Sequence, residues 1–351
     1  MNNDSEYFRI FIDSIGKLAK KSLIPAIPEI DLDPGYAGRI DLFRMLEDVG
    51  ILGLGSPDSE FSYFSSIVSV LSKVSEYCAG IGALAAFSIA SNLFLRRLGI
   101  STASKPAALC LFEEDELDLV EEGIPFAASI KDGTLSGRKR SVILGGYGGP
   151  FAVFADGKDG TEVCLVEPDG DRVSIEETPL MGARALRCAD VSFTGAEPSS
   201  CAPVRHEDVV YLLSTLSLFL SACACGTAAR AVDIAREYSK ERYQGGSMIE
   251  QHDAIKLLIE QNRSSLQAAA DAVSACAARF DPTDAKMTNC LRVKAAASKA
   301  AVNACLDAIQ VHGGYGYMRD YGVEKRFRDA ATLSVLPLDS TRLLLLADAL
   351  V

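Results

Sequence analysis

Two long stretches without a charged residue constrain this fold more than any other feature of the sequence. They cover residues 77–95 and 209–229, and each is about long enough to cross a bilayer as a helix. Both are rich in Ser, Ala, Gly and Cys rather than in Leu and Ile, and the second contains Ser214, Ser217 and Ser221. This composition favours helices that are buried on all sides, in a bundle or an oligomer core, over transmembrane spans.

The charge of the chain restricts its partners. Of 351 residues, 47 are acidic and 35 are basic, which gives a net charge of −12. A field of that sign repels the phosphates of nucleic acids and of anionic lipids. We therefore predict no nucleic-acid partner and no membrane partner.

The cysteines and histidines carry no recognisable metal or disulfide pattern. Ten cysteines are spread from Cys78 to Cys305 without a paired framework, and no CxxC, HExxH or HxH motif occurs. The first residues include no basic segment followed by an apolar one, so no signal peptide is visible. These features predict a cytoplasmic protein without a metal site, whose cysteines act as small buried hydrophobic residues.

Periodicity and turn residues divide the chain into three predicted domains. Residues 1–105 place apolar side chains at helical spacing and predict an N-terminal helical domain. In residues 106–203, Asp-Gly turns separate short β-type runs, which predicts a middle antiparallel β-sandwich or barrel. Residues 204–351 predict a C-terminal four-helix bundle, in which Gly245-Gly246 ends the first helix. The predicted fold class is α+β.

Three segments resemble one protein family. Residues 310–330 read QVHGGYGYMRDYGVEKRFRDA, which is similar to the acyl-CoA dehydrogenase signature of a helix ending in QxxGGxGY followed by YPVExxxRDA. Residues 230–246 read RAVDIAREYSKERYQGG and resemble the helix of that family that ends in ERxxFG. Residues 135–139, LSGRK, resemble its LNGEK turn, and the α–β–α order agrees.

The resemblance implies a tetramer subunit that carries FAD and desaturates an acyl thioester, on CoA or on a carrier protein. In that family a carboxylate removes the α-proton, the flavin accepts the β-hydride, and electron-transferring flavoprotein reoxidises the flavin. Carried over by position, Arg242, Gln310, Gly313 and Gly314 match the residues with which one subunit holds the ADP half of its neighbour's FAD. Glycines at a helix terminus suit a pyrophosphate, because the main chain can approach it closely.

The chain departs from the family at the catalytic base. Counted from Arg328-Asp-Ala330, the usual Glu falls at Pro337, which offers neither a carboxylate nor an N–H. An alternative position of the base aligns near Leu216-Ser217, which is not acidic. The nearest carboxylate to Pro337 is that of Asp339, which is our candidate base and at the same time a candidate N-cap of the terminal helix.

The flavin side also departs from the family. The LTEPxxGSD loop falls near residues 108–112, and the acidic run 113–122 that follows is predicted to be a solvated loop. The Trp-Ile-Thr triplet of the family reads Ser141-Val-Ile143, the aromatic residue after ERxx is Gly245, and the Gln near His252 is Asp253.

Three functions stay open at this point. The chain is a divergent acyl-CoA dehydrogenase, or a non-catalytic subunit of an α2β2 heterotetramer that supplies FAD contacts across the interface to a paralogous acyl-CoA dehydrogenase subunit. The third alternative is a homo-oligomeric homologue without cofactor that is used for binding.

Overall fold

Helices open the chain. The computed structural model describes residues 2–56, 59, 61, 63–101, 106–113, 126–281 and 287–350. The helices of the N-terminal part are α1 (Asn2–Leu18), which continues through a π-helical turn (Ala19–Leu23), then α2 (Ile24–Leu32), α3 (Gly35–Arg39), α4 (Leu42–Glu47), α5 (Phe64–Tyr77) and α6 (Ala79–Arg97). Gly99 follows the last of these with a φ of +75°, a conformation that favours glycine at a helix end.

A single sheet follows in the middle of the chain. Its strands are β1 (Ala108–Cys110), β2 (Ser129–Lys131), β3 (Thr134–Val142), β4 (Phe151–Gly157), β5 (Gly160–Val166), β6 (Val173–Glu177), β7 (Ala189–Ala196) and β8 (Ser200–Pro203). The strand order is β6-β7-β3-β2-β4-β5-β8, with β1 on β4. The Asp132-Gly133 turn joins β2 and β3, and both of its residues have positive φ angles, of 51° and 78°.

The sheet is mixed rather than purely antiparallel. The hairpins that the Asp-Gly turns predicted are antiparallel, but β1 and β2 each pair with β4 in parallel. Turn residues reveal only the pairing of strands that are neighbours in sequence, so these parallel pairs left no local signal. Helices precede and follow this sheet in the sequence, so the predicted α+β class is confirmed.

Helices return after the sheet. They are α7 (His206–Glu241), α8 (Asp253–Ala278), α9 (Thr288–His312), α10 (Val323–Ser334) and α11 (Ser340–Ala349). Four of the five correspond to the predicted bundle helices. The additional one, α10, is rich in charge, which hides its apolar positions in the sequence. The chain passes from α7 to α8 through a small hairpin of β9 (Tyr243–Gln244) and β10 (Ser247–Met248).

The predicted end of α7 is wrong by a few residues. The helix ends at Glu241, and Gly245-Gly246 is instead the turn of the β9–β10 hairpin, with φ angles of 66° and 90°. Two successive residues with positive φ fit such a turn, and glycine adopts this conformation without strain.

Both uncharged stretches lie in core helices, as predicted. In α6 and α7, 83% and 94% of the most apolar 18-residue window is buried inside the chain. Gly226 on α7 allows α5 to pack closely, because a Cβ at this position would lie 2.1 Å from the carbonyl oxygen of Ser72. The apolar and small side chains of α7 therefore face other helices in a bundle core.

Two cysteines form a disulfide that the sequence did not predict. Cys164 on β5 and Cys201 on β8 are cross-strand partners and are joined covalently. They are 37 residues apart in sequence, so only the neighbouring positions of β5 and β8 in the sheet bring them together. The prediction that cysteines act as small buried residues is wrong for this pair.

Candidate functional site

A large cavity lies at the end of the C-terminal bundle, where α7 and α9 terminate. We call it the bundle-end cavity, and its volume is about 840 Å³. Arg242, Gln310, Gly313 and Gly314, which the sequence assigned to the ADP half of FAD, all line it. The structure therefore brings together four residues from two segments that are about 70 positions apart in sequence.

The end of α9 shapes one wall of this cavity. Gly313 follows the last helical residue with a φ of +59°, a conformation that favours glycine, and its N–H donates to the carbonyl of Gln310. A Cβ at Gly313 or Gly314 would meet no other atom within 4 Å, so both glycines face open space. A ligand can therefore approach the main chain closely at this wall.

Arg242 supplies the positive charge of the bundle-end cavity. It follows α7 directly, its side chain is exposed, and its guanidinium lies 5.7 Å from the centroid of the Tyr315 ring. Among the described residues, no carboxylate forms an ion pair with it. A guanidinium in this position is available to pair with a phosphate or another anion.

Aromatic side chains that the sequence analysis missed complete the wall. His312 is buried and stacks on Tyr238, with ring centroids 4.3 Å apart. Its Nδ1 lies 2.7 Å from the carbonyl oxygen of Ala308, and burial lowers the pKa of the ring below its usual value. Two signals could have identified these residues: His312 lies within the QxxGG segment, and Tyr238 lies one helical turn before Arg242.

A second cavity lies between the sheet and the helices, with a volume of about 290 Å³. We call it the apolar cavity. Its lining comes from α6, β1, β3 and the residues that follow these two strands, the connection between β6 and β7, α7 and the segment after α10. It consists of Phe87, Leu109, Leu111, Phe112, Ser141, Ile143, Thr178, Leu180, Cys188, Leu212, Leu213, Leu216, Val335, Leu336 and Pro337. No Asp, Glu, His, Lys or Arg is among these described residues.

Both sequence positions that could hold the catalytic base of the family line this cavity. Leu216 comes from α7 and Pro337 from the connection between α10 and α11, and Ser141 and Ile143, which match two members of the Trp-Ile-Thr triplet, lie in the same lining. The polar groups available are the hydroxyls of Ser141 and Thr178 and the thiol of Cys188. Burial raises the pKa of that thiol to about 12, so none of the three is a base near neutral pH.

Asp339 lies after the segment that lines the apolar cavity but does not itself line it. Its side chain is 45% exposed, and its Oδ1 accepts hydrogen bonds from the N–H groups of Thr341 at 2.9 Å and Arg342 at 3.2 Å. The N-cap interpretation is therefore confirmed. The catalytic assignment of Asp339 stays a prediction.

The segment that resembles the RDA end of the family signature forms a network of ion pairs, which we call the ionic junction. Both terminal nitrogens of Arg328 bind the carboxylate of Asp31 on α2, at 2.7 and 3.0 Å, and its Nε binds Glu324 at 2.7 Å. Asp329 accepts from the N–H of Ala183 at 2.7 Å and pairs with Lys325 at 2.6 Å. These contacts join the N-terminal helices, the loop before β7 and α10.

The ionic junction favours the charged form of Asp31. Burial alone would raise the pKa of Asp31, but the hydrogen bonds and charge of Arg328, together with the charges of Lys325 and Arg184, bring this pKa below its usual value. The pair of Asp31 and Arg328 therefore fastens α10 to α2.

The acidic run after β1 begins with a partly buried residue. Glu113 was predicted to lie in a solvated loop, but its Oε1 lies 2.5 Å from the Nζ of the fully buried Lys139 on β3, and the N–H groups of Ala127 and Ala128 donate to the same carboxylate. Burial alone would raise the pKa of Glu113, but these bonds lower it. The remainder of the run, 114–122, lies outside the described residues.

One group of side chains has metal-ligand spacing among the described residues. The ligand atoms of Glu162, Cys164 and Cys201 lie within 4.8 Å of one another. Because the two sulfurs are joined in the disulfide, neither is available as a thiolate ligand.

One family recurs in the comparison with known proteins. Residues 213–336 match the family model described as the acyl-CoA dehydrogenase C-terminal domain. The chain is 25% identical to the cyclohexane-1-carbonyl-CoA dehydrogenase of Geobacter metallireducens, over 94% of this chain and 93% of the relative. It is 27% identical to the benzylmalonyl-CoA dehydrogenase of Aromatoleum aromaticum, over 92% and 91%.

The fold agrees with these relatives. The structure of butyryl-CoA dehydrogenase from Megasphaera elsdenii superposes with a TM-score of 0.84 at 20% identity, and 97% of each chain is covered. The match of residues 213–336 to the C-terminal domain model, the near full-length relatives and the shared fold together support membership of this chain in the acyl-CoA dehydrogenase family.

Proposed function

We propose that this chain is the non-catalytic subunit of an α2β2 acyl-CoA dehydrogenase, in which it holds the ADP half of an FAD bound mainly by a paralogous subunit. In such an assembly the paralogous chain removes the α-proton of the acyl thioester. A bound flavin would accept the hydride that leaves the β-carbon.

One observation carries this proposal: the described lining of the apolar cavity lacks a catalytic base, whereas the bundle-end cavity keeps the residues that match FAD contacts. The apolar cavity contains both positions where the family places its base, and they are occupied by Pro337 and Leu216. Abstraction of an α-proton requires a group whose pKa lies near the working pH and which reaches the substrate. No residue of the described lining meets this requirement.

The bundle-end cavity, in contrast, fits a dinucleotide. It offers a guanidinium from Arg242, a carboxamide from Gln310 and two glycines that face open space. Charged and amide N–H donors beside an accessible main chain suit the oxygens of a diphosphate. The apolar cavity offers no matching set for the flavin ring, since Ser141 stands where the family has its tryptophan.

A second candidate is favoured by the apolar cavity itself. Its volume of about 290 Å³ and its leucine and phenylalanine lining suit a compact apolar acyl group. In this candidate the chain is a complete dehydrogenase that desaturates an acyl thioester with a base outside the described lining, such as Asp339, and passes its electrons to electron-transferring flavoprotein.

Visible absorption of the full-length protein tests these candidates. The chain is purified alone and also co-expressed with a candidate paralogous acyl-CoA dehydrogenase subunit, and flavin per chain is measured in both preparations with and without added FAD. The heterotetramer proposal predicts a colourless protein alone and flavin in the co-purified assembly. Bound flavin and acyl-CoA turnover in the isolated chain would instead establish the complete dehydrogenase.

Matched variants connect the flavin to the bundle-end cavity. Arg242→Ala and Gln310→Ala should each lower the flavin content of the assembly, because each removes a donor from the cavity wall. Arg263→Ala on α8, an exposed arginine that does not line the cavity, should leave it unchanged. Assemblies that keep full flavin in both test variants would contradict the proposed contact. A chain without flavin in either preparation would favour the cofactor-free binding homologue.

A further inference from the structure

Two cysteines face each other where α8 ends and α9 begins. Cys276 lies in the last turn of α8 and Cys290 in the first turn of α9, and both line a cavity of about 320 Å³. Their thiols are close enough to form a hydrogen bond between the two helices. The pair is separate from the bundle-end cavity and the apolar cavity, since neither cysteine lines them.

Exposure distinguishes Cys276 from the other free cysteines of the described chain. Cys276 is half-buried, whereas Cys78, Cys110, Cys188, Cys223, Cys225, Cys290 and Cys305 are buried. A small solute that enters the cavity can therefore reach the sulfur of Cys276 directly. The sulfur of Cys290 lies behind it, 2% of that residue being exposed.

Electrostatics make Cys276 the more reactive member of the pair. The Cys290 thiol donates a hydrogen bond to it, and this bond, which outweighs the effect of burial and is supported by the charge of Arg279, lowers the pKa of Cys276 below its usual value. The same bond and burial raise the pKa of Cys290. The thiolate, which is the nucleophilic form, is therefore favoured at Cys276 over Cys290.

We propose that Cys276 and Cys290 form a peroxide-reactive dithiol, in which Cys276 is attacked first and Cys290 resolves the product to a disulfide. The Cys276 thiolate attacks one oxygen of a hydroperoxide, whose O–O bond breaks. Cys276 becomes a sulfenic acid, and the second oxygen leaves with a proton as water or an alcohol. The Cys290 sulfur then attacks the sulfenic sulfur, and a disulfide forms while the Cys290 proton leaves with the hydroxyl group as water.

This oxidation would tie α8 to α9. The disulfide would join residues 14 positions apart in sequence, next to Phe280, which stacks on Phe64 of α5 with ring centroids 4.1 Å apart. Reduction by a dithiol would restore the two thiols. The proposal does not depend on the flavin chemistry, because the hydroperoxide is the oxidant in every step.

Peptide mapping of the wild-type full-length protein tests the proposal directly. The protein is exposed to hydrogen peroxide, alkylated under denaturing conditions and digested without reductant. We expect a peptide pair linked through Cys276 and Cys290 within one chain, lighter than the sum of the two by two hydrogen atoms, and its loss after treatment with dithiothreitol. Linkage of Cys276 to another cysteine, or of two chains through it, would overturn the proposal.

Two variants separate the steps. Cys290→Ser should stop at the sulfenic acid, which dimedone labels at Cys276, and Cys276→Ser should give neither the label nor the disulfide. Cys305→Ser, which replaces a buried cysteine outside the pair, should leave the wild-type linkage intact. Absence of the dimedone label in Cys290→Ser, with a circular dichroism spectrum like that of the wild type, would refute the role of Cys276 as the attacking thiol.

Discussion

Replacement of Lys294 by methionine should remove a pH dependence of stability that one buried amine creates. Lys294 lies on α9 with no exposed surface, and its Nζ donates to the Ser298 hydroxyl at 2.6 Å and to the Leu333 carbonyl at 2.8 Å. Among the described residues no carboxylate pairs with it. Burial lowers the pKa of Lys294 from 10.5 to about 7, and the thiols of Cys223 and Cys225 only partly oppose this shift.

The size of the effect follows from proton linkage. Between about pH 7 and pH 10.5 the unfolded chain holds this proton and the folded chain does not, so raising the pH favours the folded state. The free energy of unfolding should gain about 1.4 kcal/mol per pH unit in this window, or roughly 3 kcal/mol between pH 6 and pH 9. At pH 6 the buried charge of Lys294 lowers the stability of the wild type by roughly 5 kcal/mol. Lys294→Met removes this cost but also loses two hydrogen bonds of about 1 kcal/mol each, so its net effect at pH 6 is stabilising.

The measurement is urea unfolding by circular dichroism at pH values from 6 to 9, for the wild type and for Lys294→Met. We expect the variant to be the more stable protein at pH 6, with the difference shrinking as the pH rises. Lys299→Met, an exposed lysine on the same helix, is the control and should follow the wild type at every pH. A difference between Lys294→Met and the wild type that is constant over this range would refute the reasoning.

Three further predictions rest on the other charged groups. Glu113→Gln should lower the free energy of unfolding by roughly 3 kcal/mol, since it leaves the Lys139 ammonium buried without its carboxylate. Thermal denaturation measures this loss, and stability should recover in the Glu113→Gln/Lys139→Met double variant. No recovery would count against this explanation. Arg328→Ala should lower the free energy of unfolding by roughly 2 kcal/mol near pH 7. Because the pKa of Asp31 is lowered in the folded state, the contribution of the pair disappears as the pH falls below about 4, and thermal denaturation at pH 3 should show a smaller cost. An equal cost would argue against the ion pair. Asp339→Asn should keep stability within about 1 kcal/mol, because an amide also caps a helix; if Asp339 is the base, the variant loses all acyl-CoA turnover, and unchanged turnover would remove it from the mechanism.

Sequence reasoning worked best where the signal was local. The charge-free stretches predicted the core helices α6 and α7, because no long uncharged helix is stable with its full surface in water. Counting along the signature placed Pro337 at the position of the missing base, and the structure puts Pro337 and Leu216 in one lining. The four residues assigned to the ADP half likewise share one cavity, because each lies close to the end of a predicted helix.

The remaining features depend on contacts between distant parts of the chain. The Asp31–Arg328 pair joins residues 297 positions apart, and the Cys164–Cys201 disulfide joins neighbouring strands that are not consecutive. Glu113 belonged by composition to a solvated acidic run, yet the neighbouring strand β3 supplies Lys139 for it. No spacing rule reveals such partners, since they are set by how the helices and strands pack.

The ionic junction shows that part of the signature motif can have a structural role that is independent of catalysis. Arg328 and Asp329, which end the segment that resembles the signature, fasten three parts of the fold and contact neither of the two cavities. Selection for a correctly folded subunit is then enough to preserve Arg328 and Asp329, even where catalysis is no longer required. A homologue that no longer catalyses the reaction would still contain this motif, so the motif indicates common descent and a shared fold. A carboxylate in the apolar cavity is the better marker of an active enzyme.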